Sequence, residues 1–175
     1  PWYVGERTPD LPLAAPVSFG FGVDDFTPAV LCRAVLEGHV LNLYDGFARM
    51  PVTPREIRLT GGLSRSPSWS QTIADIFGAE AVPVEGEGAA LGAAIHAAWV
   101  GGREEGRGQP LKEVVAPFVV LDEDRRRRPR AEARPAVELL RRLYRSVSRR
   151  IRGEEAEDPF ALRHDLRRLT PGGDA

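Results

Sequence analysis

Ile57-Arg58-Leu59-Thr60-Gly61-Gly62-Leu63-Ser64-Arg65-Ser66-Pro67 is the stretch that decides the fold. Residues 57–60 read as a strand that runs straight into paired glycines. A helix opens after Ser66, with Pro67 at its first position, where a missing N–H costs nothing. Trp69, Ile73, Ile76 and Phe77 mark its buried face, and Gly78 stops it. This element can be a ligand seat. Two residues without Cβ leave the backbone open, the helix start offers free N–H groups, and Ser64 and Ser66 add hydroxyls. It can equally be a tight turn that needs glycine only for its backbone angles. The residues alone leave both readings open.

Working outward, residues 81–84 read as a second strand and 88–100 as a helix rich in Gly and Ala, closed by Gly101-Gly102. Gly86, Gly88 and Gly92 imitate a dinucleotide-binding pattern, but the last spacing is one residue too long. Gly88, Ala89, Gly92, Ala93 and Ala97 fit better a helix packed backbone-close against a sheet or a ligand. Upstream, a long helix starts after Thr27, an N-cap followed by Pro28. Leu31, Val35, Gly38, Leu41, Tyr44 and Ala48 form its buried stripe, and Pro51 ends it. Residues 1–26 are rich in Pro and Gly, with one short strand near residues 17–19. Downstream, 101–110 form a surface loop and 119–121 a strand or extended connector. A helix from Pro135 buries Val137, Leu140, Tyr144, Val147 and Ile151. Strands alternating with helices give an α/β layer structure.

Composition narrows the function. The 175 residues carry a formal net charge of −1, 42% apolar and 28% charged residues. That suits a soluble domain with a real core and supplies no bulk attraction to nucleic acid or a membrane surface. No run approaches the roughly 20 apolar residues that span a bilayer. Pro1-Trp2-Tyr3-Val4-Gly5 has no signal-peptide character and no starting Met, so the chain reads as beginning inside something longer. Cys32, the single cysteine, excludes an internal disulfide and fits a reducing, cytoplasmic setting.

No catalytic constellation and no metal-ligand set can be assembled. His39, His96 and His164 stand apart on helices, and Cys32 reads as a small buried hydrophobe. Arg33 and Glu37 are spaced for a helix-stabilising pair. The run Arg125 to Arg128 reads as a solvated loop, because it lacks the aromatic interleaving of a nucleic-acid site. Trp2 and Tyr3 could stack a ligand or be buried.

Four segments, in order, resemble the FGGY family of carbohydrate kinases, its xylulose kinases most. They are Gly5-Glu6-Arg7-Thr8-Pro9, Arg33-Ala34-Val35-Leu36-Glu37-Gly38, Gly61-Gly62-Leu63-Ser64-Arg65-Ser66 and Ala90-Leu91-Gly92-Ala93-Ala94. Trp69, Gln71, Ala74, Asp75 and Gly78 extend the third, and Arg142-Leu143-Tyr144 is similar to the end of xylulose kinases. The likeness covers residues 1–152. Residues 153–175 match nothing in it and read as a tail, partly disordered or forming one short helix. The chain also departs from the family pattern, with Ala15-Pro16 where relatives usually carry Arg-Gly.

The resemblance implies a partial actin-like ATPase (ribonuclease-H-like) domain with a carboxyl-terminal helix. Such a domain closes with a second one over ATP, Mg²⁺ and a small sugar. It implies that Gly61, Gly62, Leu63 and Ser66 carry the adenosine end of ATP, where the helix start alone would have suggested phosphates. The catalytic Asp and the phosphate-gripping Thr-Gly segment of such kinases lie upstream of Pro1, so no catalytic or metal-binding residue is assigned here. The chain alone is expected to be inactive. In the full-length protein the expected reaction is transfer of the γ-phosphoryl of ATP to a ketose hydroxyl, first D-xylulose O5. The rivals are gluconate, ribulose or glycerol as acceptor, and a non-catalytic nucleotide-binding module. A homodimer is left open.

Overall fold

The computed structural model describes residues 5–7, 10–86 and 88–169. Trp2, Tyr3, Thr8 and Pro9 lie outside the described residues. The chain divides into two units, the first formed by residues 1–53, 75–78 and 129–175 and the second by 54–74 and 79–128.

The first unit is helical. Helix α1 spans Pro28–Phe47, with the Thr27 hydroxyl accepting from the Val30 N–H at 3.3 Å. It ends short of Pro51, because a proline keeps the residue before it out of the α region and the last turn frays. Its buried residues are Gly38, Val40 and Leu41, so burial reaches past the expected stripe to Val40, while Ala48 is exposed. Cys32 is exposed too, which corrects its reading as a buried hydrophobe: it sits on the outward side of α1. Arg33 and Glu37 do pair, at 2.5 Å. The last turn of helix α2 (Pro67–Phe77) counts with this unit, and the Phe77 ring meets Tyr44 and Phe47 edge-on at 5.4 and 5.6 Å.

Helix α5 spans Arg134–Ile151 and helix α6 Pro159–Arg168, while α3 (Gly88–Glu104) and α4 (Leu111–Val115) belong to the second unit. The stripe expected for α5 is rotated. Leu143, Ser146 and Ser148 are buried, whereas Val137, Leu140, Tyr144 and Val147 are half-buried and Ile151 is exposed. The cause is α6, which packs on α5 and turns serines into interior residues: the Ser146 hydroxyl donates to the Glu157 carbonyl at 2.5 Å. Asp158 caps α6 by accepting from the Phe160 N–H at 2.9 Å, and Leu162 is 3% exposed. Arg163 donates to the Gly20 carbonyl at 2.7 Å and Arg167 pairs with Asp25. No strand forms at residues 17–19, whose segment is held instead by these arginines.

Two polar clusters, one at half-buried Tyr144 and one at buried Asp75, lock this unit. The Tyr144 hydroxyl donates to Asn42 Oδ1 at 2.9 Å, and Asn42 Nδ2 donates to Glu6 at 2.9 Å. Burial, with Asp45 and Glu6 nearby, pushes the Tyr144 hydroxyl well above its ordinary pKa. The Asp75 carboxylate accepts from the Arg130 N–H at 2.8 Å and from its guanidinium at 3.0 and 2.7 Å.

The second unit holds strands β1 (Glu56–Leu59) and β2 (Glu80–Pro83), paired parallel with Glu56 opposite Glu80 and Leu59 opposite Pro83. The first part of α2 belongs here; Ile73 and Ala74 are buried, and the Ser66 hydroxyl accepts from the Trp69 N–H at 3.3 Å. The expected strand at 119–121 reduces to a single antiparallel bridge, Val84 to Leu121, with a second at Ala81 and Arg127.

Helix α3 runs Gly88–Glu104, beyond the expected end, because Gly101 and Gly102 cost about 1 kcal/mol each without breaking a helix. Only its first turn is backbone-close: a Cβ on Gly88 would lie 2.7 Å from Thr60 Cβ. Gly92 has nothing within 4 Å, and Ala89, Ala93 and Ala97 are exposed. Helix α4 (Leu111–Val115) is too short to show a period and was not expected.

The basic run is no free loop. Arg126 reaches Glu56 and Glu80 at 2.9 Å and Glu123 at 2.6 Å, and Arg128 reaches Glu80 at 3.1 Å. Hydrogen bonds from Arg126 hold the carboxyls of Glu56 and Glu123 below the usual carboxylate range.

Two outcomes follow from this packing. Leu162→Ala should cost about 2–4 kcal/mol in urea unfolding, against about 1 kcal/mol for Phe160→Ala, whose ring is 69% exposed. A carboxyl with a lowered folded pKa stabilises above its unfolded value and loses that contribution as pH falls through the folded one. Arg126→Met should therefore lower the melting temperature at pH 7 and flatten its decline below about pH 4.5. An unchanged acid limb would remove Arg126 from that role.

Candidate functional site

In a parallel pair both strands end on the same side, so the segments leaving β1 and β2 emerge together. Here they enclose a cleft of about 710 Å³ inside the second unit. One wall is Thr60, Gly61 and Gly62, and the other is Glu85, Gly86 and the start of α3 at Gly88. Open α/β sheets take ligands at this end of their strands.

The first wall is made of backbone. Gly61 has φ +84° and ψ −178°, a conformation essentially closed to other residues, and Gly62 begins a 3₁₀ turn over Gly62–Arg65. A Cβ at either glycine would meet nothing within 4 Å, so the space before them is empty. The turn closes on itself. The Ser64 hydroxyl donates to the Gly61 carbonyl at 2.7 Å, and the Ser66 N–H to the Leu63 carbonyl at 3.0 Å.

Of the four residues singled out from the sequence, Gly61 and Gly62 line the cleft and Leu63 and Ser66 do not. Leu63 is 58% exposed, and the Ser66 hydroxyl is engaged as the cap of α2. The helix start that faces the cleft belongs to α3, through Gly88, Ala89 and Ala90. Its N-terminal amides carry the partial positive charge that favours an anion. Gly86, with φ +84°, serves the turn before α3, and Gly88 admits Thr60. Those two glycines of the false dinucleotide pattern therefore have structural reasons of their own.

Two charged residues at the cleft, Arg65 and Glu85, were given no role in the sequence, and Arg125, read there as part of a solvated loop, lines it as well. Arg125 is held by Asp122 at 2.5 Å. Arg65 and Glu85 are exposed, and neither has a side-chain hydrogen bond or ion pair among the described residues. The parallel order of the two strands, which brings both exits together, was the signal that could have found them. The three histidines lie elsewhere and are exposed. Among the described residues no group of three or more His, Cys, Asp or Glu side chains could hold a metal ion, and no helix is long and apolar enough to cross a membrane. Such a cleft can seat a flat group on open backbone, attract an anion to a helix start and receive hydroxyl donors at a carboxylate.

Comparison with known proteins gives a consistent result. A sequence profile of the FGGY family of carbohydrate kinases, C-terminal domain, matches residues 1–100. A xylulose kinase of Haemophilus influenzae is 37% identical over 133 residues, covering 74% of this chain and 26% of the relative. A gluconokinase of Bacillus licheniformis is 40% identical over 103 residues, 54% of this chain and 20% of the relative. The crystal structure of a ligand-bound xylulose kinase from Lactobacillus acidophilus superposes with a TM-score of 0.74 at 25% identity, covering 87% of this chain and 30% of that one. The chain thus spans about a quarter of the length of the curated relatives it matches.

The two wall glycines should separate in stability. Gly61→Ala should cost about 1–3 kcal/mol, because a Cβ is strained at that φ. Gly62→Val should cost under about 1 kcal/mol, because its Cβ would project into open space. Equal losses in thermal unfolding would contradict this geometry.

Proposed function

The chain belongs to the FGGY family of carbohydrate kinases and carries its C-terminal domain, and on that premise we propose that it forms the adenosine side of the ATP site in a full-length sugar kinase. The observation that carries this reading is the open backbone wall at Gly61 and Gly62, facing the α3 start across the cleft. Adenosine would rest on the wall, and the amides of Gly88, Ala89 and Ala90 would draw the phosphate side toward α3. The fold we propose is the actin-like one. The reaction is transfer of the γ-phosphoryl of ATP to a ketose hydroxyl, with D-xylulose as acceptor. The named xylulose kinases among the relatives support that substrate.

In this proposal the chain binds and orients the nucleotide, and proton abstraction from the sugar falls to the remainder of the protein. Mg²⁺ is the usual companion of ATP. The described residues provide no cluster of three or more His, Cys, Asp or Glu side chains to hold it. Leu63 and Ser66 remain part of the proposed segment through the backbone turn that they shape, Ser66 by capping α2. A second reading keeps the nucleotide site and changes the acceptor to gluconate, supported by the gluconokinase likeness.

In the full-length protein, Gly62→Val should raise the KM for ATP by about tenfold or more and that for the sugar by less than about twofold. Turnover with D-xylulose against gluconate separates the two acceptors. A folded Gly62→Val variant with unchanged ATP dependence would reduce the element to a turn. Turnover by residues 1–175 alone would overturn the division of roles.

A further inference from the structure

Glu85 is an exposed carboxylate residue at the cleft without a side-chain partner among the described residues. It follows β2 directly, and its own N–H donates to the Val120 carbonyl at 2.9 Å, which fixes the backbone that carries it. Glu85 is a lining residue of the cleft and exposed, and its side chain has neither a hydrogen bond nor an ion pair among the described residues. The acids beside the sheet are differently placed: Glu56, Glu80, Asp122 and Glu123 are paired with arginine. Arg125, the cation on the same side, is taken by Asp122.

We propose that Glu85 receives the vicinal 2′ and 3′ hydroxyls of the nucleotide ribose and so makes the site selective for ribonucleotides. This rests on the nucleotide reading of the cleft. An ionised carboxylate only accepts hydrogen bonds. The triphosphate repels it, and the ring nitrogens of adenine that lie in its plane are acceptors as well. The donors left on ATP are the exocyclic amine and the ribose diol. The diol alone presents two hydroxyls side by side, a match for the two oxygens of one carboxylate.

The test is equilibrium binding of ATP, 2′-deoxy-ATP and 3′-deoxy-ATP to the full-length protein by calorimetry. Native protein should bind each deoxy nucleotide roughly ten- to a hundredfold more weakly than ATP, the range for a hydrogen bond to a charged acceptor. Glu85→Ala removes the acceptor of both hydroxyls, so it should bind ATP at least as weakly as native protein binds either deoxy form, and should no longer tell the three apart. Glu85→Gln should keep part of the preference, because an amide oxygen still accepts. Native protein that does not distinguish the three, or a folded Glu85→Ala variant that still does, would overturn the assignment. The two failures separate through Gly62→Val. If that variant weakens ATP binding while Glu85→Ala leaves discrimination intact, the diol assignment falls alone. If Gly62→Val binds ATP normally, the nucleotide reading falls and this one falls with it.

Discussion

The parallel register of β1 and β2 is the constraint on which the second unit depends. With Leu59 opposite Pro83, Thr60 and Val84 must leave the sheet as neighbours. Everything chemically useful in this unit follows from that exit: two turns rich in glycine, one helix start and three charged side chains around one cleft. An antiparallel pairing of the same strands would have sent the turns to opposite ends. The close approach of Gly88 to Thr60 then limits how far the two exits can part, and a side chain there would push α3 off the sheet.

The second unit answers the burial of so short a sheet with arginine. One guanidinium, Arg126, serves three carboxylates, and the backbone of Arg127 pairs with Ala81 to extend β2. The fork geometry of arginine lets a single side chain bind several acceptors at once, which a lysine ammonium does less specifically. In the first unit Arg141 works in the same way, lying over the Tyr44 ring at 4.2 Å while donating to the Ile76 carbonyl. The arginine bias of the sequence, with Lys112 the single lysine, thus has structural uses at these positions.

Local features were legible. The Thr27-Pro28 and Ser66-Pro67 starts, the glycine turn after β1 and the short helix in the tail were readable because capping and turn chemistry act within a few residues. What depended on distant partners was not. The burial of Ser146 and Ser148 needs α6, the bridging of Arg127 needs β2, and the exposure of Cys32 reflects which side of α1 receives neighbours. The same holds at the cleft. Gly61 and Gly62 announce themselves as a pair, whereas Arg65 and Glu85 become notable only when they are brought to one opening.

The ties that α6 makes to residues 20–25 have a consequence for how the chain acquires its structure. Arg163 and Gly20 are 143 positions apart, and Arg167 and Asp25 are 142 apart. The second unit, by contrast, is drawn from residues 54–128 apart from a short excursion at 75–78, and its strand pairing spans a short stretch. Contacts at long sequence separation form late, because loop closure must precede them. During synthesis the cleft-bearing unit can therefore order itself first. The loop near Gly20, although made before that unit, waits for α6 to leave the ribosome.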